Sequence, residues 1–263
     1  MKLTRLPFFT AAITSAVLAT ACSETSSTGD SNSAAAQVDS VESVSPALQR
    51  YGDEVVEDQL WQRPDLAPRE RSIVTVAAMI ARDQTAELPF YMNRALDSGV
   101  TPGELSEVIT HLAFYAGWPN AMAAVEAAKP VFAARDIGTD QLPEAEPELL
   151  PIDEEFESAR RARIESTHGT TGQGVQQFTT DVLFTDLWLR PDLPPRDRSL
   201  ATVSALVATG LTGQITSHLN IAMDNGLTEV QANEVLTQLA FYAGWPRAFS
   251  AMPVFKEVFE ARS

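Results

Sequence analysis

Few side chains in this 263-residue chain could move a proton or supply a nucleophile: three histidines, His111, His168 and His218, and one cysteine, Cys22. His218 lies on an apolar helical stretch. An imidazole there is either a general acid/base, handling a proton α to a carbonyl or a departing carboxylate, or a partly buried group hydrogen-bonded by Gln214 or a backbone carbonyl. His111 follows Glu107 by four residues, a spacing that shares a helix face, and reads as structural. His168 sits in a Gly/Thr loop. The histidines are too dispersed for a zinc or iron site, so no metal and no cofactor are expected. No nucleophilic serine motif, dinucleotide loop or Walker loop is present, and the glycines between Gly169 and Gly174 follow no strand.

The elements that position these residues come in two copies. Leu112-Ala113-Phe114-Tyr115-Ala116-Gly117-Trp118-Pro119 returns letter for letter as Leu239 to Pro246, 127 residues later. The same offset aligns Leu60-Trp61 and Arg63-Pro64-Asp65-Leu66 with Leu187-Trp188 and Arg190-Pro191-Asp192-Leu193, and Arg71 and Ser72 with Arg198 and Ser199. It also aligns Gly99, Thr101 and Glu107 with Gly226, Thr228 and Glu234, so the chain is a tandem duplication. Agreement between the copies speaks for the fold and disagreement for chemistry. The repeated octapeptide is therefore assigned to helix termination and packing, and function to the preceding helix, where Tyr91 and His218 differ. Glu107 and Glu234 recur on a nearly apolar helix and are expected to form buried ion pairs with Arg71 or Arg198. Arg63, Asp65, Arg190 and Asp192 are read as fixing the turn. Trp118 and Trp245 are core or interface aromatics, or else walls of a substrate site.

Helical spacing recurs throughout and no alternating strand is found, so the fold class is all-α. The first helix of copy one is expected to end at Trp61. Further helices are expected near residues 72–82, 86–98 and 120–135. Thr101-Pro102-Gly103-Glu104 forms a capping box matched by Thr228 and Gln231, and Gly117-Trp118-Pro119 is read as a helix stop. The division is residues 1–22 as a targeting segment, 23–45 as a polar tether, 46–135 as repeat one, 136–155 as an acidic proline-rich linker and 156–263 as repeat two. Residues 1–22 have a basic start, an apolar run too short for a comfortable membrane span, and Leu18-Ala19-Thr20-Ala21-Cys22, which resembles a bacterial lipobox. Cys22 is expected to be lipidated, with an outer-membrane anchor as the default and a periplasmic protein as the rival. A net charge of −16 speaks against nucleic-acid partners.

Leu-Trp-x-Arg-Pro-Asp-Leu, Arg-x-Arg-Ser, His-x7-Gly-Leu-Thr and Glu-Val-x-x-x-Leu-Ala-Phe-Tyr-Ala-Gly-Trp-Pro together resemble the carboxymuconolactone decarboxylase family, which includes alkylhydroperoxidase D-like proteins. The resemblance covers roughly residues 51–132 and 175–259. It implies two tandem helical domains in a ring, as a trimer of tandem chains. The alkylhydroperoxidase branch uses Cys-x-x-Cys followed by His. Here His218 matches that His, but Leu211 and Gln214, or Gln84 and Glu87, stand at the thiol positions and Tyr91 replaces the other His. The family's peroxiredoxin label is therefore disfavoured on chemical grounds. The decarboxylase branch resembles Glu-x-x-x-His, and here that pair is split between Glu87 of copy one and His218 of copy two, with Gln214 beside the latter. The implied activity is cofactor-free decarboxylation or isomerisation of a small lactone or enol acid. His218 would carry the proton, Gln214 and Glu87 would support it, and Tyr91, Trp118 and Trp245 would line the substrate site. The alternative is a non-catalytic ligand-binding or scaffold protein. Glu87 facing His218 across an interface would favour the enzyme.

Overall fold

A computed structural model describes residues 41–263, so the lipobox and most of the tether lie outside the described residues. The chain divides into two compact units between Arg63 and Pro64. Both sequence repeats contribute most of their helices to the second unit, so they are not two separate globules.

In the first unit, α1 (Val41–Val44) and α2 (Pro46–Tyr51) precede a π-helical turn at Gly52–Glu57 and a 3-10 turn at Leu60–Gln62. The single helix expected to end at Trp61 is thus broken. Gly52 and the β-branched Val55 and Val56 are weak α-formers, and the widened turn begins at that glycine. The same π segment recurs 127 residues later at Thr179–Phe184, so it belongs to the repeat.

The second unit carries α3 (Pro68–Ala81), α4 (Leu88–Asp97), α5 (Pro102–Tyr115), α6 (Trp118–Ala134), α7 (Glu154–His168), α8 (Gln173–Phe178), α9 (Pro195–Thr209), α10 (Thr212–Asp224), α11 (Glu229–Tyr242) and α12 (Trp245–Arg262). There is no strand among the described residues, and no helix among them is long and apolar enough to cross a membrane.

Helices α3 and α9 form the centre. Every residue from Arg71 to Ala81 and from Asp197 to Ala208 is buried. Both carry serines and threonines that an amphipathic pattern would place outside. Those hydroxyls are satisfied locally: Ser72, Thr75, Ser199, Thr202 and Ser204 each donate to the carbonyl four residues back, at 2.7–2.9 Å. A hydroxyl bonded within its own helix can be buried against small neighbours such as Ala77, Ala78, Ala201 and Ala205 without orphaning a donor.

The packing is crossed. Helix α3 of copy one lies on α9 of copy two, α5 on α9, and α11 on α3. At the start of the central pair, Arg69 binds Asp197 at 2.6 Å and Arg196 binds Glu70 at 2.6 Å. The two arginines are counterparts, as are the two acids. Such reciprocity is the mark of an approximate two-fold relation.

Thr101 and Thr228 cap α5 and α11 as the sequence implies, each accepting the backbone N–H three residues on. The Gly-Trp-Pro triplets act as starts as much as stops. Gly117 and Gly244 have φ of 95° and 97°, where a side chain would be strained, and they redirect the chain so that Trp and Pro open α6 and α12. Residues 136–155 hold fixed contacts with copy two: Leu150 N–H donates to the Leu189 carbonyl, and Arg190 donates to the carbonyls of Glu144 and Ala145.

Candidate functional site

The two-fold relation makes two quasi-equivalent clusters, each drawing on both copies. The first forms around His218 of α10. Its ring lies nearly parallel to Trp188, centroids 6.3 Å apart and planes at 16°. Tyr115, at the end of α5, meets it edge-on at 5.2 Å. Trp188 Nε1–H donates to Tyr115 Oη at 2.9 Å, which fixes both rings. His111, one turn before Tyr115, stacks on that tyrosine at 4.7 Å and meets Trp188 at 5.3 Å. Thr202 already donates its hydroxyl to the Arg198 carbonyl, so the 2.7 Å contact between His111 Nε2 and Thr202 Oγ1 makes His111 the donor. That fixes the tautomer and leaves His111 Nδ1 as an acceptor with no partner.

Beneath the rings, Glu107 accepts from Arg190 at 2.8 Å and from Arg198 at 3.0 Å, all three buried. Glu234 pairs with Arg71 at 2.7 Å in the mirror position. Each buried carboxylate thus meets the arginine of the other copy's central helix. A buried ion needs such a partner, because desolvation alone would cost several kcal/mol.

The second cluster is built on Tyr91, which stands where His218 stands in the first. Tyr91 is 4% exposed, meets Tyr242 edge-on at 5.2 Å, and is hydrogen-bonded to it. Gln238 replaces His111: it donates to Thr75 at 3.0 Å and accepts from Arg71 at 3.2 Å. The two clusters therefore differ in polar satisfaction. Around Tyr91 the hydroxyl and amide are paired, although Arg71 Nε, like its counterpart Arg198 Nε, has no acceptor. Around His218 the buried nitrogens His218 Nδ1, His111 Nδ1, Arg198 Nε and Nη1, and Arg160 Nη1 have no hydrogen-bond partner. Native structures leave few buried polar atoms unpaired, so this concentration beside one histidine needs a functional reason.

Electrostatics follow from this burial. The pKa of His218 is pushed down to about 4, first by burial and then by the positive charge of Arg163. His111 is held well below the usual histidine range by burial, with Arg198 and His218 adding to it. Both rings are neutral near pH 7. Burial raises the Tyr115 phenol. Partial burial also raises the Glu87 carboxyl.

A third set of groups comes from α7 and the π segment after it. Phe184 stacks on Trp188 at 5.8 Å, with planes 8° apart. The Arg160 guanidinium lies 4.4 Å from the Phe184 ring centre. Arg160 is itself held by Glu157 at 2.6 and 2.7 Å and by Thr180 at 3.1 Å.

The sequence-assigned residues separate as follows. Glu87 opens α4 beside Tyr91, and no hydrogen bond or ion pair joins it to His218 among the described residues. Gln214 is exposed one turn before His218 and makes no hydrogen bond with it. Trp118 and Trp245 are 63% and 51% exposed, packed edge-on against Phe114 and Phe241 on outer surfaces. The octapeptide does more than terminate helices. Its Tyr115 enters the His218 cluster and its second occurrence places Tyr242 on Tyr91. Sequence reasoning missed Tyr115, Trp188, Arg160 and Arg163 and read His111 as merely structural. The recurring Leu-Trp pair was the available signal for Trp188.

Residues 46–130 and again 173–257 match the Carboxymuconolactone decarboxylase family, together more than half of the chain. The chain belongs to that family. Among curated relatives, the 4-carboxymuconolactone decarboxylase of Acinetobacter baylyi (strain ATCC 33305 / BD413 / ADP1) is 34% identical over 88 residues, which is 34% of this chain and 66% of the relative. The nitrosuccinic acid decarboxylase of Metarhizium robertsii (strain ARSEF 23 / ATCC MYA-3075) is 32% identical over 80 residues, 29% of this chain and 56% of the relative. The chain thus spans less than two thirds of the length of either relative. Within this carboxymuconolactone decarboxylase-like chain, His111, Tyr115, Trp188, Arg198 and His218 lie inside the matched segments, whereas α7 with Arg160 and Arg163 lies between them.

Proposed function

We propose that the His218 cluster performs cofactor-free acid/base chemistry on a small lactone or enol acid, by decarboxylation or isomerisation. One observation carries this reading: two quasi-equivalent clusters share a framework, and the buried polar atoms without a hydrogen-bond partner gather around the one with a histidine, both imidazole Nδ1 atoms among them. The decarboxylase names of the relatives support the reaction class.

With a pKa near 4, His218 is an unprotonated base at neutral pH. In an isomerisation it would take a proton α to a carbonyl and return it further along the conjugated system. In a decarboxylation, loss of carbon dioxide leaves an electron pair delocalised into the neighbouring carbonyl, and a proton taken from water and passed to carbon through His218 would complete the step. Trp188 and Tyr115 would hold a flat, conjugated acid against the imidazole. Gln214, one turn away on the same helix, would approach the ring only when substrate orders it. Glu87 would serve the Tyr91 cluster, whose closed pairing favours a packing or binding role there.

A screen of lactone and enol acids with the protein and a His218→Ala variant tests this. Turnover by the wild type that falls at least about a hundredfold in the variant would match the usual contribution of a positioned acid/base. Equal turnover by both would remove His218 from the chemistry.

We propose further that the chain lies on the periplasmic side of a membrane, anchored through lipidated Cys22, and that three chains form a ring through the exposed aromatic ridges Phe114–Trp118–Met122 and Trp245–Phe249–Met252. Sedimentation of a Trp118→Glu, Trp245→Glu variant as a monomer beside a larger wild type would support the ring.

A further inference from the structure

We propose that α7 is the anion-recognising wall of the His218 site: the Arg163 guanidinium takes the substrate carboxylate, and Arg160 stands behind it as a fixed, buried cation. This rests on reading the His218 cluster as the reactive site.

Contact geometry ties α7 to the site. From Arg160 the contacts run to Phe184 at 4.4 Å, from Phe184 to Trp188 at 5.8 Å, and from Trp188 to His218 at 6.3 Å. Arg163 lies one turn further along the helix, where its charge acts on the His218 ring, and the charge of Arg160 acts on Tyr115.

The charge balance points the same way. The chain as a whole is strongly acidic, at −16, yet at this corner two carboxylates are each shared between two arginines. Glu107 is shared by two arginines, Arg190 and Arg198. Glu157 is likewise shared by Arg160 and Arg161. Arg163 is exposed, and its guanidinium makes no hydrogen bond or ion pair among the described residues. Arg160 Nη1 is buried without a partner, in a residue 3% exposed, so one donor of a rigidly held cation is left for a ligand. A carboxylate would meet that need.

The device belongs to this site alone. At the 127-residue offset, Arg160 and Arg163 align with Ser33 and Ala36, which carry no charge. Helix α7 also lies outside both family-matched segments, so the family framework supplies the rings and base while this insertion supplies the selectivity.

Benzoate and benzamide are suitable probes: both carry a flat ring for Trp188 and Tyr115, and only benzoate carries a charge. The full-length protein is titrated with each while the His218 ring is followed by NMR, in the wild type and in Arg163→Gln and Arg163→Lys. Benzoate is expected to perturb His218. Arg163→Gln should weaken it about tenfold or more, the effect of one charge-assisted hydrogen bond, while Arg163→Lys keeps most of the affinity and benzamide is indifferent to either change. Arg163→Gln should also raise the pH at which the unliganded ring titrates. Benzoate that leaves the His218 ring undisturbed, or binds equally well to Arg163→Gln, would overturn the proposal. Failure of the catalytic reading looks different: turnover would survive His218→Ala while benzoate still depended on Arg163.

Discussion

At the level of single residues, the replacement of one histidine by a tyrosine separates two sites that otherwise share a plan. Tyr91 reaches Tyr242 and closes its cluster, whereas His218 is shorter and leaves nitrogens open. Two outcomes follow. Because His218 titrates near pH 4 in the folded chain, a kcat/KM that depends on its neutral form should rise with pH through about 4 and stay flat to neutrality. An acid limb near the ordinary histidine value of 6.5 would contradict the burial described here. The same shift affects stability. Between 6.5 and about 4 the unfolded chain takes up a proton on His218 that the folded chain refuses, so stability should fall as pH drops through that window. His111 adds to the fall, being lowered as well. A His218→Gln variant should show a shallower loss of Tm over the same range. In sequence, His218 was visible as a position where chemistry differs between copies. Tyr115 was not, because it is identical in both and identity was assigned to the fold. A residue can be shared by both copies and still face a reactive ring in only one.

At the level of elements, the helices were legible wherever a local signal exists. Thr101 and Thr228 announce α5 and α11, and each caps its helix. Thr228→Ala should cost about 1 kcal/mol, measured by denaturant melts, with the site chemistry intact. The central helices were harder to read. Ser72, Thr75, Ser199, Thr202 and Ser204 look like a wet face, yet all are buried, because each hydroxyl is bonded within its helix. The π segments at Gly52–Glu57 and Thr179–Phe184 were not read from the sequence, since the glycine that opens the first has no counterpart in the second, where Thr179 stands. Their effect is specific: the second delivers Phe184 to Trp188.

For the whole molecule, the repeat was plain in the sequence and its crossing was not. Periodicity shows which face of a helix is apolar; it does not say whose helix covers it. Arg71 could have met Glu107 of its own copy, but it meets Glu234, and Arg198 meets Glu107. Removing one member strands a buried charge, so Glu107→Ala should destabilise by about 3–5 kcal/mol, well beyond the cost of an exposed pair. Fragments 64–135 and 136–263, expressed apart, should each remain unfolded by circular dichroism, because each would expose an all-buried helix and half of an ion pair. Expressed together they should form one helical complex. Independent folding of either fragment would show that the crossed pairs are dispensable.

The crossed arrangement also governs how such a protein can change. Were the two copies separate chains pairing as identical partners, every substitution would land in both sites at once, and a tyrosine at the position of His218 would silence both. Joined in a single chain, the copies are spelled out separately. One site can be closed by Tyr91 and turned into scaffold while the other keeps its histidine and acquires arginines of its own. Covalent fusion thus releases the two sites from an obligation to be alike, while the shared ion pairs keep either half from drifting out of step with its neighbour.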